Sequence, residues 1–404
     1  MIKKLKDICE VIIDCEHKTA PTQQTGYPSI RTPNIGRGRL ILDNVNRVSE
    51  ETYKAWTRRE VPRTGDLILA REAPIGNVAI IPENLKVCLG QRTVLVRANK
   101  EMVDLNYLLY LLLGDEIQGK ILSHANGATV HHLNMSDIRN LDLPELPPLP
   151  IQRKISSILS AYDDLIENNT RRIKILEEMA QALYREWFVH FRFPGHEKVQ
   201  MVDSALGKIP EGWEAKKLGD IAQEIRRGVI PDEIDPETPY FGLEHLPRKS
   251  IALSEWGIAK DIKSTKLAFK RGDILFGKIR PYFHKVGIAP VDGVCSSDTI
   301  VLASEMNEYF SIVLACVSSE EFVKHATQTS KGTKMPRADW GVLKKYPVLI
   351  PPTPLFQMFD RLVRDSVDQI QNMIFRIKNL RCTRDLLLPK LISGEVNIQE
   401  NNIK

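Results

Sequence analysis

The stretch IQRKISSILSAYDDLIENNTRRIKILEEMAQALYREWFVHFRF, residues 151–193, decides how the chain is built. Its apolar residues Ile151, Ile155, Ile158, Tyr162 and Leu165 step by four and three, and Ile173, Leu176, Ala180, Leu183 and Trp187 resume the rhythm after Asn169. That spacing keeps one stripe on one face and predicts a single long helix of coiled-coil type. At about 1.5 Å per residue, 43 residues reach roughly 64 Å, so the helix needs a companion along its length. A second periodic stretch, 355–388, offers one with Phe359, Val363, Val367, Ile370, Ile374 and Ile377. Each stretch follows a proline-rich stop, Leu146-Pro147-Pro148-Leu149-Pro150 and Ile350-Pro351-Pro352-Thr353-Pro354. Asn169 interrupts the first seam. A buried Asn169 that fixes register is expected; the alternative is that it faces solvent at a stutter.

With 404 residues the chain has room for two or three domains, and 43% hydrophobic with 26% charged residues is the balance of an ordinary globular protein. The net charge of +5 hints at an anionic partner but also suits a protein near neutrality. No apolar run approaches the ~18 residues of a membrane span, and Met1-Ile2-Lys3-Lys4-Leu5-Lys6 leads into no signal core, so the expected location is cytoplasmic, without membrane contact. Cys9, Cys15, Cys88, Cys295, Cys316 and Cys382 form no CxxC pair, which suggests neither a disulfide framework nor a zinc site.

Residues 1–145 read as a first globular segment, mixed and strand-rich. Short buried strands are expected at 65–70, 77–81 and 93–96, and a helix over 105–123. The long helix occupies 146–193 with its stop. A turn-forming connector, 194–215, holds three glycines and two prolines. A second globular segment covers 216–350, the second helix 351–398, and a short tail 399–404. The second segment echoes the first: Lys217-Leu218-Gly219-Asp220-Ile221 answers the N-terminus, and Arg271-Gly272-Asp273-Ile274-Leu275 answers Thr64-Gly65-Asp66-Leu67-Ile68. Cys295 lies 23 residues past Gly272, as Cys88 lies 23 past Gly65. The stretch from Gly332 to Asp339 answers that from Gly127 to Asn134. These echoes keep one order at offsets of about 205 to 213 residues, which means duplication. The expected fold is therefore α+β: two mixed, strand-rich globular domains separated by two long antiparallel coiled-coil helices, an internal pseudo-twofold repeat. Two related but divergent units a fixed distance apart suit duplex DNA, whose half-sites repeat on one face every ~10 to 10.5 base pairs.

Local chemistry fits that ligand. Lys260 to Lys285 is rich in cations, and Lys278-Ile279-Arg280-Pro281-Tyr282-Phe283-His284-Lys285 interleaves them with aromatics, suited to phosphates and base faces. The first unit carries a looser set, Arg31, Arg37, Arg39, Arg58, Arg59, Arg63 and Arg71, and arginine matches guanine edges. The alternative is that these are solvated faces of ordinary strands and loops. Residues 151–193 hold seven Lys/Arg and six Asp/Glu, a balance suited to spacing and docking rather than to tracking phosphates.

Five stretches identify a resemblance. They are Leu146-Pro147-Pro148-Leu149-Pro150-Ile151-Gln152-Arg153-Lys154-Ile155; Ile166-Glu167-Asn168-Asn169-Thr170-Arg171-Arg172-Ile173; Leu183-Tyr184-Arg185-Glu186-Trp187-Phe188; Leu206-Gly207-Lys208-Ile209-Pro210-Glu211-Gly212-Trp213; and Leu388-Pro389-Lys390-Leu391-Ile392-Ser393-Gly394-Glu395. In this order the chain resembles, over its whole length, the specificity subunit of type I restriction-modification systems. The second stop departs, reading Pro354-Leu355-Phe356-Gln357 where the first has Pro150-Ile151-Gln152, which leaves the register of the second helix open. The resemblance implies two target recognition domains reading a bipartite asymmetric site, joined by helices that set the gap. It implies no catalysis and no cofactor in this chain. The implied partners are two modification subunits, which carry S-adenosylmethionine and methylate adenine, and restriction subunits, which use ATP and Mg to translocate and cut DNA.

The expected DNA-contact set is Arg31, Arg37, Arg39, Arg71, Gln91, Arg92, His131 and His132 in the first unit. In the second it is Lys278, Arg280, Tyr282, Lys285, Ser297, Lys331, Lys334 and Arg337. Docking and spacing fall to Ile151, Ile155, Asn169, Ile173, Leu183, Trp187, Val363, Ile370 and Ile377. No Asn-Pro-Pro-Tyr or GxxxxGK[ST] stretch exists. Pro231-Asp232 followed by Asp261-Ile262-Lys263 is a loose nuclease-like pattern of a kind that chance readily produces. Rival readings are a subunit of a methylation-only complex, a coiled-coil scaffold without DNA, and a self-sufficient nuclease. His131-His132 is read as DNA contact or plain loop exposure rather than as a metal site.

Overall fold

The computed structural model describes residues 3–124, 132–396 and 398. Two compact units form, Met1–Asp164 with Leu380–Lys404 and Leu165–Asn379, so each holds one globular segment and portions of both long helices.

In the first unit the main strands are β1 (Cys9–Asp14), β2 (Tyr27–Ile30), β3 (Leu67–Ala70), β4 (Val78–Ile80), β5 (Cys88–Leu89) and β6 (Thr93–Ala98). Their antiparallel sheet runs β1-β6-β3-β4, with Gly38–Arg39 added parallel to β4. β2 pairs parallel with β5 through Ser29 and Cys88. Apolar residues run unbroken along β3 because both faces are covered: Leu67 and Leu69 enter one core, Ile68 and Ala70 another. The expected helix over 105–123 is two helices, α1 (Leu105–Leu113) and α2 (Asp115–Ser123). Gly114 between them is extended, at φ −68° and ψ 147°, and breaks the helical path. Asp104 caps α1 by accepting from the Tyr107 N–H at 3.0 Å. The long helix α3 (Leu149–Tyr184) enters this core with Ile155 and Leu159, alongside Leu391. Asp163 accepts from the Tyr110 hydroxyl at 2.6 Å and pairs with Arg384.

The second unit repeats the plan with β7 (Ala222–Glu224), β8 (Pro239–Phe241), β9 (Ile274–Gly277), β10 (Val286–Ile288), β11 (Gly293–Cys295) and β12 (Thr299–Ser304). Its sheet runs β7-β12-β9-β10, and β8 pairs parallel with β11 through Phe241 and Cys295. Helices α4 (Phe310–Val317) and α5 (Glu320–Gln328) answer α1 and α2, and the last helix is α6 (Thr353–Ile392). The sequence echoes have local causes. Gly65 and Gly272 turn into equivalent strands at φ +88° and +90°, a conformation that favours glycine. Asp7 and Asp220 accept from the Lys4 and Lys217 N–H groups at 2.8 Å each.

The first long helix stops sooner than its sequence suggests. It is α-helical to Tyr184, widens into a π-turn over Arg185–Val189, and ends before Phe193. Phe191 at φ +58° reverses the chain, while Trp187, Phe188 and Phe193 are buried, Phe188 and Phe193 packing on Trp213 and Trp187 on Phe359. The connector is itself ordered, a hairpin of Met201–Ser204 with Gly207–Pro210. In the second helix Phe356 is buried and Gln357 exposed, whereas Gln152 is buried in the first. The register left open is thus resolved: Phe356 takes the inward place that Gln152 fills by bonding Pro147 and Asp104.

Candidate nucleic-acid interface

At the end of β9 in the second unit three loops are tied into one junction. Lys278 donates its backbone N–H to the Asp298 carbonyl at 3.0 Å, and its own carbonyl accepts from the Ala338 N–H at 2.9 Å. Arg280 donates its N–H to the Pro336 carbonyl at 2.7 Å. Lys331 and Arg337 exchange backbone bonds of 3.0 and 2.9 Å. Lys278, Arg280, Tyr282, Ser297, Lys331, Lys334 and Arg337, widely spaced in sequence, therefore sit on connected loops at one end of one sheet. The first unit builds the same junction after β3. Arg71 donates its N–H to the Arg92 carbonyl at 2.9 Å, and its carbonyl accepts from the Leu133 N–H at 3.0 Å. Arg71 and Lys278 are thus equivalent cations, with Gln91, Arg92 and His132 beside the first as Ser297 and Arg337 lie beside the second.

The two junctions differ in how their charge is held. In the second unit the Lys278, Lys331 and Lys334 ammonium groups have no hydrogen bond or ion pair among the described residues. Arg280 sits at φ +48°, and its Nε is buried without a partner. Its guanidinium lies 5.9 Å from the Phe283 ring, which Arg248 covers on a 4.1 Å approach. Tyr282 is 51% exposed and meets Phe283 edge-on at 4.9 Å. Ser297 is exposed, and Arg337 contacts Asp298 only at 3.5 Å. Lys285 turns inward instead and donates to the Leu243 carbonyl. Burial lowers its pKa, and nearby Arg248 adds to that.

In the first unit most cations are tied into the fold. Arg71 pairs with Asp14 at 2.6 Å and donates to the Leu133 carbonyl at 2.8 Å. Arg37 donates to the Leu113 carbonyl at the end of α1 at 2.9 Å. Arg39 pairs with Asp164 at 2.6 Å, Arg92 with Glu72, and Gln91 donates to the His17 carbonyl at 3.4 Å. Arg31 is exposed and lies against Gly90, where a Cβ would meet its Cγ at 2.6 Å. His132 is half-buried, and His131 lies outside the described residues.

Ile155, Asn169, Ile173, Trp187, Val363, Ile370 and Ile377 are buried, while Ile151 and Leu183 are half-buried. Ile151 and Ile155 pack into the first unit's core, and Trp187 packs on Phe359 in the second unit. Outward on α3 stand Ile158, Leu165, Ile175 and Met179, each 38 to 58% exposed. Asp232, Asp261 and Lys263 are exposed, Asp232 in the turn Pro231–Glu233 and Asp261 and Lys263 in a loop of their own. Asp14, Cys15 and His17 bring ligand atoms within 4.8 Å of one another. The Asp14 carboxylate there is already engaged by Arg71, which a metal ion would have to displace. Sequence reading missed Arg248, because only the fold stacks it on Phe283.

A family model described as the type I restriction modification DNA specificity domain matches residues 1–178 and 210–373, once in each repeat. The type I restriction enzyme MjaIX specificity subunit of Methanocaldococcus jannaschii is 29% identical over 411 residues, covering 99% of this chain and 94% of that protein. The type I restriction enzyme EcoDI specificity subunit of Escherichia coli is 26% identical over 319 residues, covering 72% and 70%. In fold, the chain is similar to the crystal structure of a type I restriction-modification S subunit from M. genitalium, with a TM-score of 0.61 at 15% identity, covering 97% and 95%. Among the described residues no helix is long and apolar enough to cross a membrane.

Proposed function

The chain belongs to the type I restriction-modification DNA specificity family, and from that premise we propose that it reads a bipartite asymmetric duplex site, one half with each unit. The duplicated three-loop junction carries this reading. It holds one backbone geometry in both units while its side chains differ, Arg71, Gln91 and Arg92 against Lys278, Ser297 and Asp298. A shared frame with divergent side chains suits two readers of one polymer with different base preferences. The free ammonium groups and the stacked Arg248 and Arg280 supply phosphate anchoring and base readout in the second unit. As a recognition subunit the chain is not itself an enzyme. S-adenosylmethionine belongs to two modification subunits, and ATP and Mg to restriction subunits, in a cytoplasmic complex.

The long helices serve as an antiparallel spacer. In one unit the late α6 residue Leu391 packs with early α3 residues Ile155 and Leu159. In the other, the early α6 residue Phe359 packs with late residues Tyr184 and Phe188. In the second unit the outward Leu165, Ile175 and Met179 supply an apolar face for a modification subunit.

The test is to express the chain with its modification subunit and map methylated adenines. Arg280→Ala should relax one half-site only, at a cost of about 1–3 kcal/mol in base discrimination. Equal relaxation of both halves would refute separate readers. Inserting one heptad near Ile173 should change the gap and leave both half-sites intact. A scaffold without a DNA role predicts no salt-dependent duplex binding by the complex.

A further inference from the structure

The second unit contains a cavity of about 310 Å³ whose walls include Asp273, Ala303, Phe310, Arg364, Asp368 and Gln371. Gln371 is only 7% exposed, yet neither its Nε2 nor its Oε1 has a hydrogen-bond partner. A buried amide left so is costly unless a ligand meets it.

The first unit shows what such a place is built to hold. Asp66 and Asp273 occupy the same turn: each accepts a backbone N–H through Oδ2, from Arg63 and Lys270 respectively, at 2.8 Å. On the neighbouring strands Leu67 opposes Val96 and Ile274 opposes Leu302, so the next residues, Arg97 and Ala303, are equivalent. In the first unit Arg97 grips Asp66 with two hydrogen bonds, 2.8 and 2.7 Å, and Glu60 with a third of 2.6 Å. In the second unit Ala303 removes that guanidinium. Asp273 keeps its backbone bond but has no ion pair within 4 Å among the described residues, and burial raises its pKa. A Cβ on Gly65 would meet Leu105 at 3.0 Å, whereas one on Gly272 would meet nothing within 4 Å.

We propose that the cavity receives a guanidinium group on Asp273, the side chain of an arginine brought by another molecule. The planar fork matches the carboxylate in two bonds, as Arg97 matches Asp66, and the Gln371 amide oxygen is left to accept a further N–H. Asp368, exposed among the lining residues, adds a second negative charge. This inference stands apart from the DNA reading.

The full chain is titrated with Nα-acetyl-arginine methylamide and with its citrulline counterpart, which keeps the shape without the charge. Saturable binding of the arginine probe is expected, at least about tenfold tighter than citrulline, one charge-assisted contact being worth that much. Asp273→Asn and Ala303→Arg should each abolish the preference. Ala303→Arg should also raise the unfolding temperature by supplying the group in cis, and Asp273→Asn in the same chain should cancel the gain. If the arginine belongs to a protein partner, Ala303→Arg weakens assembly with the modification subunit; if it is a free small molecule, assembly is unchanged while the titration is lost. No preference for arginine over citrulline, or an Ala303→Arg effect that Asp273→Asn leaves intact, overturns the proposal.

Discussion

Replacing Glu177 separates what a buried carboxylate costs from what its hydrogen bonds hold. Glu177 lies on α3, 7% exposed, and one oxygen, Oε1, accepts from the Ser250 hydroxyl at 2.6 Å and from the Ile251 and Ala252 N–H groups at 2.8 and 3.0 Å. Those residues reach the sheet edge, where Ile288 donates to the Ile251 carbonyl at 3.0 Å, and they lie two to four residues past Arg248, the cation over Phe283. Glu177→Ala leaves the buried Ile251 N–H without an acceptor, at about 1–3 kcal/mol, while the Ala252 N–H keeps its second acceptor, the Ser250 hydroxyl, at 3.3 Å. A loss of about 2–4 kcal/mol follows, with the Ser250 contact included. Glu177→Gln keeps an acceptor and removes the charge. Burial raises the Glu177 pKa above its ordinary 4.5 despite the three donors, so desolvation outweighs them. A raised carboxyl pKa means that the folded state holds the proton more tightly. Its contribution is full below the unfolded value and is lost as pH rises through the folded value. Wild type should therefore lose stability relative to Glu177→Gln from pH ~4.5 upward, leaving the Gln variant equal or more stable at neutral pH. Urea unfolding of the full chain at several pH values, with amide exchange read at Ile251 and Ala252, checks both. An Ala variant within about 0.5 kcal/mol of wild type with unchanged exchange at those amides would refute the reasoning.

Two further predictions address packing and charge. Arg97→Ala leaves Asp66, 3% exposed, without its guanidinium; unfolding in urea should show a loss of about 3–5 kcal/mol that Asp66→Asn partly recovers. Phe359→Ala removes a fully buried ring that meets Phe188 at 4.8 Å and Trp187 at 5.8 Å, and should cost about 3–5 kcal/mol, read as a lowered unfolding midpoint with local exchange at the π-turn.

By itself, the sequence carried the duplication, the two long helices and the strand-rich class, because periodicity and turn glycines are local properties. The 3.6-residue spacing around Ile155 and Ile370 needs no knowledge of what lies opposite, and Gly65 and Gly272 turn the chain at φ +88° and +90°, a conformation that glycine adopts without strain. The early end of the first helix was not legible, since it depends on a distant Trp213 and Phe359 gathering Trp187 and Phe188. Nor was the break at Gly114, where extended geometry won over a helical pattern. Among the candidate contacts, composition collected the cations. Only tertiary structure sorted them into those tied down, as Arg71 is by Asp14, and those left open among the described residues, as Lys278 and Lys334 are, because an ion pair forms between residues far apart in sequence. The same holds for Asp273. In sequence it matches Asp66, and only the strand register shows that its arginine has become Ala303.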